Sequence, residues 1–178
     1  MTTIIRTAGE GDAEVVRQLH LSAFDDSESQ EVAELAARLL GEADGPETLN
    51  LLAVTDGTAS GHVAFSKVSL SGSPELRASI LAPLGVAAGF QRSGIGSQLV
   101  RYGMQHLTDA GVALVFVYGD PGYYGRFDFS SEVALTFEAP HPLQYPHGWQ
   151  ARVIDPEVEL PSSCKLTCVT ALSDPGLW

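Results

Sequence analysis

The residues from Gly89 to Gly96 (Gly-Phe-Gln-Arg-Ser-Gly-Ile-Gly) end in two closely spaced glycines directly before an amphipathic run. Backbone N–H groups at the start of a helix lack partners and point outward, so such a turn offers a site for phosphate. Gly94 and Gly96 let the main chain approach an anion with no Cβ in the way. Ser97 adds a hydroxyl donor in the first helical turn, and Arg92 adds charge at the rim. The usual nucleotide loops do not fit. A P-loop needs Lys followed by Ser or Thr after its last glycine, where this chain has Ser97-Gln98. A dinucleotide fingerprint needs a third glycine, and Leu99 stands there. On these residues alone the segment reads as a generic phosphate cradle or a structural turn.

Other reactive residue types are sparse. Cys164 and Cys168 are the only cysteines. On a strand they would lie about 13 Å apart at a rise of about 3.3 Å per residue, too far for a disulfide. No further ligands stand nearby for zinc, so no metal is expected and both read as small core hydrophobes.

The elements that must position the loop follow from hydrophobic period and turn chemistry. Thr3 to Thr7 reads as a strand. A helix opens at Gly11-Asp12 with Val15, Val16, Leu19 and Phe24 inward. A second helix follows, with Ser27 and Gln30 as a capping box and Val32, Leu35, Ala36 and Leu39 as its stripe. Asp56-Gly57 joins the strands Leu49–Thr55 and Ser60–Leu70 as a hairpin. Ala78 to Ala87 is an apolar strand interrupted by Pro83, which cannot donate to a ladder and predicts a bulge or a departure from the neighbouring strand.

The helix after Gly96 carries Leu99, Gly103, Leu107 and Ala110 on one face and ends at Gly111, with Gly103 permitting close approach to the sheet. Val112 to Tyr118 is the most hydrophobic strand and is expected to be central. Gly122 to Phe127 reads as one or two helical turns. Val133–Phe137, Gln150–Ile154 and Lys165–Ala171 alternate like strands, around a loop rich in Pro and His from Ala139 to Gly148. The expectation is one α+β domain over residues 1–178, with a mostly antiparallel central sheet, a parallel pair near its middle and helices on both faces.

The composition bounds the function. The chain has 178 residues, 44% hydrophobic and 18% charged, the balance of a folded domain. A formal net charge of −12 argues against nucleic acid as a partner. It tilts mildly toward a cationic small molecule or peptide as partner, although acidity that merely maintains solubility is the simpler account. No apolar run is long enough to span a membrane, and the start of the chain lacks the features of a signal peptide, so a cytoplasmic location is expected.

The motifs together resemble a known family. Gln91-Arg92-Ser93-Gly94-Ile95-Gly96 is similar to the Q/R-x-x-G-x-G/A signature of the GNAT superfamily of N-acetyltransferases. Leu84-Gly85-Val86 resembles the strand end before that loop, and Tyr123 to Phe129 (Tyr-Tyr-Gly-Arg-Phe-Asp-Phe) resembles the downstream tyrosine motif. The stretch from Val115 to Tyr124 looks like a bacterial branch of predicted acetyltransferases. The resemblance covers Ile4 to Phe129.

It implies acetyl-CoA, or another short acyl-CoA, as donor substrate and an amine as acceptor, joined by direct transfer. The implied pyrophosphate site is the loop Gln91, Arg92, Gly94, Gly96 and Ser97. Main-chain groups at Leu84 and Val86 would pair with the pantetheine arm in a gap between splayed strands. Tyr124 would be the general acid for the departing thiolate, with Tyr123 as packing. Relatives carry Gly-Phe where this chain has Asp128-Phe129, which raises the question of whether the turn that aims Tyr124 is kept. No base is evident: His62, Glu28, Glu31, Glu34, His141 and His147 are the candidates. The alternative is a CoA-binding sensor or interaction module without transfer. A late exposed sheet edge could pair with a second copy as a homodimer.

Overall fold

A computed structural model describes all residues, Met1–Trp178. The strands are β1 (Thr3–Thr7), β2 (Leu49–Thr55), β3 (Thr58–Leu70), β4 (Ala78–Val86), β5 (Leu114–Tyr118), β6 (Phe137–Glu138), β7 (Trp149–Val153) and β8 (Cys164–Cys168). The helices are α1 (Ala13–Ala23), α2 (Asp26–Arg38), α3 (Ile95–Asp109) and the single turns α4 (Pro121–Tyr124) and α5 (Ser131–Ala134). The sheet runs β1-β2-β3-β4-β5-β7, with β8 pairing the far end of β3 and also β6. Pairing is antiparallel except for β4 with β5 and β6 with β8.

Both faces of the sheet are covered. On one, Leu51, Val63, Phe65, Val115 and Val117 pack against Leu99, Val100 and Leu107 of α3. On the other, Ala64, Ile80, Leu114 and Phe116 meet Leu35 of α2 and Leu39 just past its end, together with Leu172 and Trp178. Val16 and Leu19 of α1 close a smaller cluster over Leu52. The need for glycine at 103 is direct: a Cβ there would stand 2.1 Å from the Phe65 ring. As expected, β5 is buried along Leu114–Val117 and lies between two strands.

Several local expectations fail for physical reasons. Val15 is 44% exposed, and the buried face of α1 is Val16, Leu19 and His20. The capping box at Ser27 and Gln30 does not form, because α2 begins earlier, at Asp26. Gln30 instead donates to Glu34 one turn on, at 3.2 Å. Ala110 is exposed past the end of α3.

Of the strand expected over Val133–Phe137 only Phe137 is extended, in β6, while Val133 and Ala134 end the helical turn α5. The Ser130 hydroxyl accepts from the Glu132 N–H at 3.2 Å and caps a turn that overrides the alternating pattern. Strand β8 stops at Cys168, and Thr170–Leu172 turns into a 3-10 helix. The late sheet edge at β7 is partly paired within the chain, since Ser130 and Ala151 exchange backbone hydrogen bonds of 2.9 and 3.0 Å. No helix is long and apolar enough to cross a membrane.

Candidate active site

The site begins where β4 and β5 part. Their parallel pairing runs from Ala78 opposite Leu114 to Leu81 opposite Val117 and stops there. Pro83 follows with no N–H to donate. Along β3, Phe65 faces Leu81 and Val63 faces Leu84, so Ala82 and Pro83 bulge out opposite one residue. Beyond the bulge, β4 is held by β3 alone.

Alternation in an antiparallel ladder then decides which main-chain groups are free. The Ala87 N–H donates to the Ser60 carbonyl at 3.0 Å, so this pair is hydrogen-bonded, as is His62 with Gly85 two residues on. The intervening pairs, Gly61 with Val86 and Val63 with Leu84, are the non-bonded ones. Leu84 and Val86 therefore turn their N–H and C=O groups away from β3, toward the gap left by β5. The Val86 carbonyl accepts from the Gln91 side chain at 3.2 Å, consistent with that direction.

The loop leading into α3 has the form its sequence suggests. Gly94 caps the helix at φ +87°, which favours glycine, and no side chain caps the first turn. None of the amides from Arg92 through Ser97 donates to a protein acceptor. Together with the positive end of the α3 dipole, these amides form an anion cradle. Arg92 is exposed and makes no ion pair, leaving its charge available at the rim. Gln91 has a different place: its amide bridges the Val86 and Ala23 carbonyls, both at 3.2 Å, and ties the loop to the end of α1. A Cβ at Gly96 would come within 2.6 Å of the Tyr123 hydroxyl, so glycine is required where that ring crosses the helix start.

The tyrosines sit on α4, whose cap Asp120 accepts from the Gly122 N–H at 2.9 Å. They divide the site between them. Tyr123 reaches the helix start, with Arg126 stacked 4.4 Å above its ring. Burial raises its phenol pKa, with Arg126 and Ser97 opposing. Tyr124 lies against the end of β5, where a Cβ on Gly119 would meet its ring at 2.6 Å. Burial, aided by Tyr123 and Asp120, raises the Tyr124 pKa well above the usual phenol value. The group therefore stays protonated at neutral pH.

Asp128 adopts the left-handed conformation (φ 63°, ψ 20°) after the 3-10 turn Gly125–Phe127. Aspartate is among the residues that tolerate this region, which glycine adopts freely. Phe127 and Phe129 are both buried behind the tyrosines.

A cavity of 850 Å³ opens where the strands part, reaching from Leu81–Leu84 and Tyr124 toward α2 and the end of the chain. Among the candidate bases, Glu28, Glu31 and His147 line it. Glu34 instead pairs with Arg17 at 3.1 Å, and His141 bonds the Ser173 carbonyl at 2.9 Å.

His62 is wholly buried and belongs to a chain that the sequence reading missed. Asn50 Nδ2 donates to the Leu39 carbonyl at 2.9 Å, which turns Asn50 Oδ1 toward His62 Nε2 at 3.2 Å. His62 Nε2 thus carries a proton, and His62 Nδ1 accepts from His20 Nε2 at 2.9 Å. His20 Nδ1 is left buried without a partner, against Gly85. Burial lowers the pKa of His20 to about 4 and that of His62 well below its usual value. The signal for His20 was its spacing, one and four residues beyond Leu19 and Val16 on the inward face of α1. Trp178 and Leu177, which wall the cavity, carried no pattern that placed them there.

A central sheet whose parallel pair splays beside an uncapped, glycine-bearing helix start defines the acetyltransferase class suggested by the motifs. The acetyltransferase (GNAT) domain family matches residues 4–131, and the chain belongs to it. YjhQ of Escherichia coli K12, an uncharacterized N-acetyltransferase, is 35% identical over 142 residues, covering 78% of this chain and 76% of that protein. The crystal structure of YhbS from Escherichia coli in complex with CoA superposes with a TM-score of 0.79 at 27% identity, covering 92% of this chain and 88% of that one. A GNAT family acetyltransferase from Brucella melitensis in complex with acetyl-CoA gives 0.71 at 28% identity, covering 94% and 95%.

Proposed function

We propose that this single domain, residues 1–178, transfers an acetyl group from acetyl-CoA directly to an amine. One observation carries the reading. It is the succession of the free amides of Arg92–Ser97, the outward main-chain groups of Val86 beside Gly96 and of Leu84, and Tyr124, with Leu84 and Tyr124 lining the cavity. It matches, in order, an anionic pyrophosphate, an amide-bearing arm and a thioester. Two structural relatives hold CoA or acetyl-CoA.

In this account Arg92, Gly94, Gly96 and Ser97 hold the pyrophosphate. Gln91 supports the loop through the Val86 and Ala23 carbonyls. The arm adds to β4 as an extra strand at Leu84 and Val86, and the outward N–H at Leu84 polarises the thioester carbonyl. The amine nitrogen attacks the carbonyl carbon, and the C–S bond breaks as the C–N bond forms. The Tyr124 hydroxyl gives its proton to the leaving thiolate, and the proton lost by the amine restores the phenol through solvent in the cavity.

Calorimetric titration with acetyl-CoA, followed by turnover of Tyr124→Phe, tests the reading. Binding is expected, with turnover of the variant down about 100-fold or more and affinity nearly unchanged. No binding at high micromolar acetyl-CoA would refute the site. Unchanged turnover would remove Tyr124 from the chemistry.

A further inference from the structure

The lining of the cavity is specific about what can enter it. Leu35, Leu172, Leu177 and Trp178 give it an apolar wall, and Phe24, Tyr118 and Tyr145 give it flat aromatic surface. That surface is held in place: Tyr118 stacks on Trp178 with ring centroids 6.0 Å apart, and its hydroxyl accepts from the Tyr145 N–H at 2.7 Å. The Trp178 indole in turn donates to the Leu172 carbonyl at 3.1 Å.

The carboxylates on the wall face no Lys or Arg, and His147 is the one basic side chain among the lining residues. Glu28 and Glu31, at i and i+3 of α2, face the cavity together with Asp120. Neither glutamate has an ion-pair partner, whereas Glu34 one turn on is taken by Arg17.

We infer that the acceptor is a primary monoamine on a flat, apolar body that bears no carboxylate or phosphate. This rests on the transfer reading above. Glu28 and Glu31 attract the ammonium form at the mouth, and the body lies against Tyr118, Tyr145, Leu177 and Trp178. An acceptor with its own carboxylate would bring an anion beside two glutamates with no cation to answer it. A polyamine, whose ammonium groups recur along its length, has no apolar body to lay on Leu172, Leu177 and Trp178, so only its charged contacts with the carboxylates would remain.

The test measures thiol release at saturating acetyl-CoA with 2-phenylethylamine, L-phenylalanine and spermidine. The first is expected to show kcat/KM about tenfold or more above each of the others. Glu28→Gln combined with Glu31→Gln should raise the KM for 2-phenylethylamine about fivefold, as expected for losing two exposed charge contacts, and leave that for acetyl-CoA in place. Equal or better use of L-phenylalanine or spermidine overturns the inference, as does turnover of none of the three by enzyme that binds acetyl-CoA. An unchanged amine KM in the double variant overturns the role of the glutamates. Failure to bind acetyl-CoA at all is a different result and falls on the transfer reading.

Discussion

The buried chain Asn50–His62–His20 makes stability depend on pH in a window that carboxylates scarcely touch. Both rings are neutral in the folded state, because burial penalises their charged forms. In the unfolded chain each histidine takes up a proton as pH falls through about 6.5. Folded His20 resists protonation until about pH 4. Between these values the unfolded state binds more protons, so stability is full above about pH 6.5 and declines as pH falls toward 4. At about 1.4 kcal/mol per pH unit, His20 alone costs about 2 kcal/mol on going from pH 7 to pH 5. His62 adds to the loss in the same direction.

Urea unfolding at pH 7 and pH 5 measures this. The informative variant is His20→Gln, whose amide N–H can still donate to His62 Nδ1 but does not titrate. It should be less stable at pH 7, yet lose about 2 kcal/mol less than the parent on acidification. An equal loss in variant and parent would refute the neutral buried pair.

Two further substitutions probe the site's backbone. Gly96→Ala should loosen acetyl-CoA binding about tenfold, since its Cβ would stand 2.6 Å from the Tyr123 hydroxyl, and adding Tyr123→Phe should recover much of the loss because the nearest ring carbon lies at 3.8 Å. Calorimetry of the single and double variants decides this, and an equally weak double variant would mean that the hydroxyl is not the obstacle. Asp128→Gly should gain about 0.5–1 kcal/mol in urea unfolding by relieving the left-handed residue at φ 63°. A loss of stability there would show that the aspartate side chain contributes more than the strain costs.

Features with a local cause were the ones legible in the sequence. Gly94 and Gly96 marked the turn before α3 in the sequence as places where a Cβ would be in the way, and the structure adds a left-handed cap at Gly94 and the close Tyr123 ring at Gly96. Pro83 announced the splay because it cannot donate to a ladder, and β4 parts from β5 after Leu81, just before it. The family resemblance then gave those pieces an order, and membership bears it out.

What the sequence obscured depends on a cap that outweighs a pattern or on partners distant along the chain. Val133–Phe137 alternates like a strand, yet a serine cap one turn earlier decides for a helical turn. His62 looked like a lone histidine because His20 and Asn50, which complete its hydrogen bonds, lie far off along the chain. The left-handed backbone at Asp128, a conformation open to both aspartate and glycine, was likewise not readable from the residue type alone. The acceptor wall was hidden most deeply, since Trp178 and Leu177 reach the cavity solely through the tertiary path of the chain's last residues.

The central claim is that the gap between β4 and β5 seats the thioester within reach of Tyr124. Single-turnover acetyl transfer to an amine by the parent and by Tyr124→Phe, with acetyl-CoA binding measured beside it, tests that claim most directly. Both should bind acetyl-CoA alike, and the variant should transfer about 100-fold or more slowly. Equal transfer rates, or a parent that binds no acetyl-CoA, would contradict it.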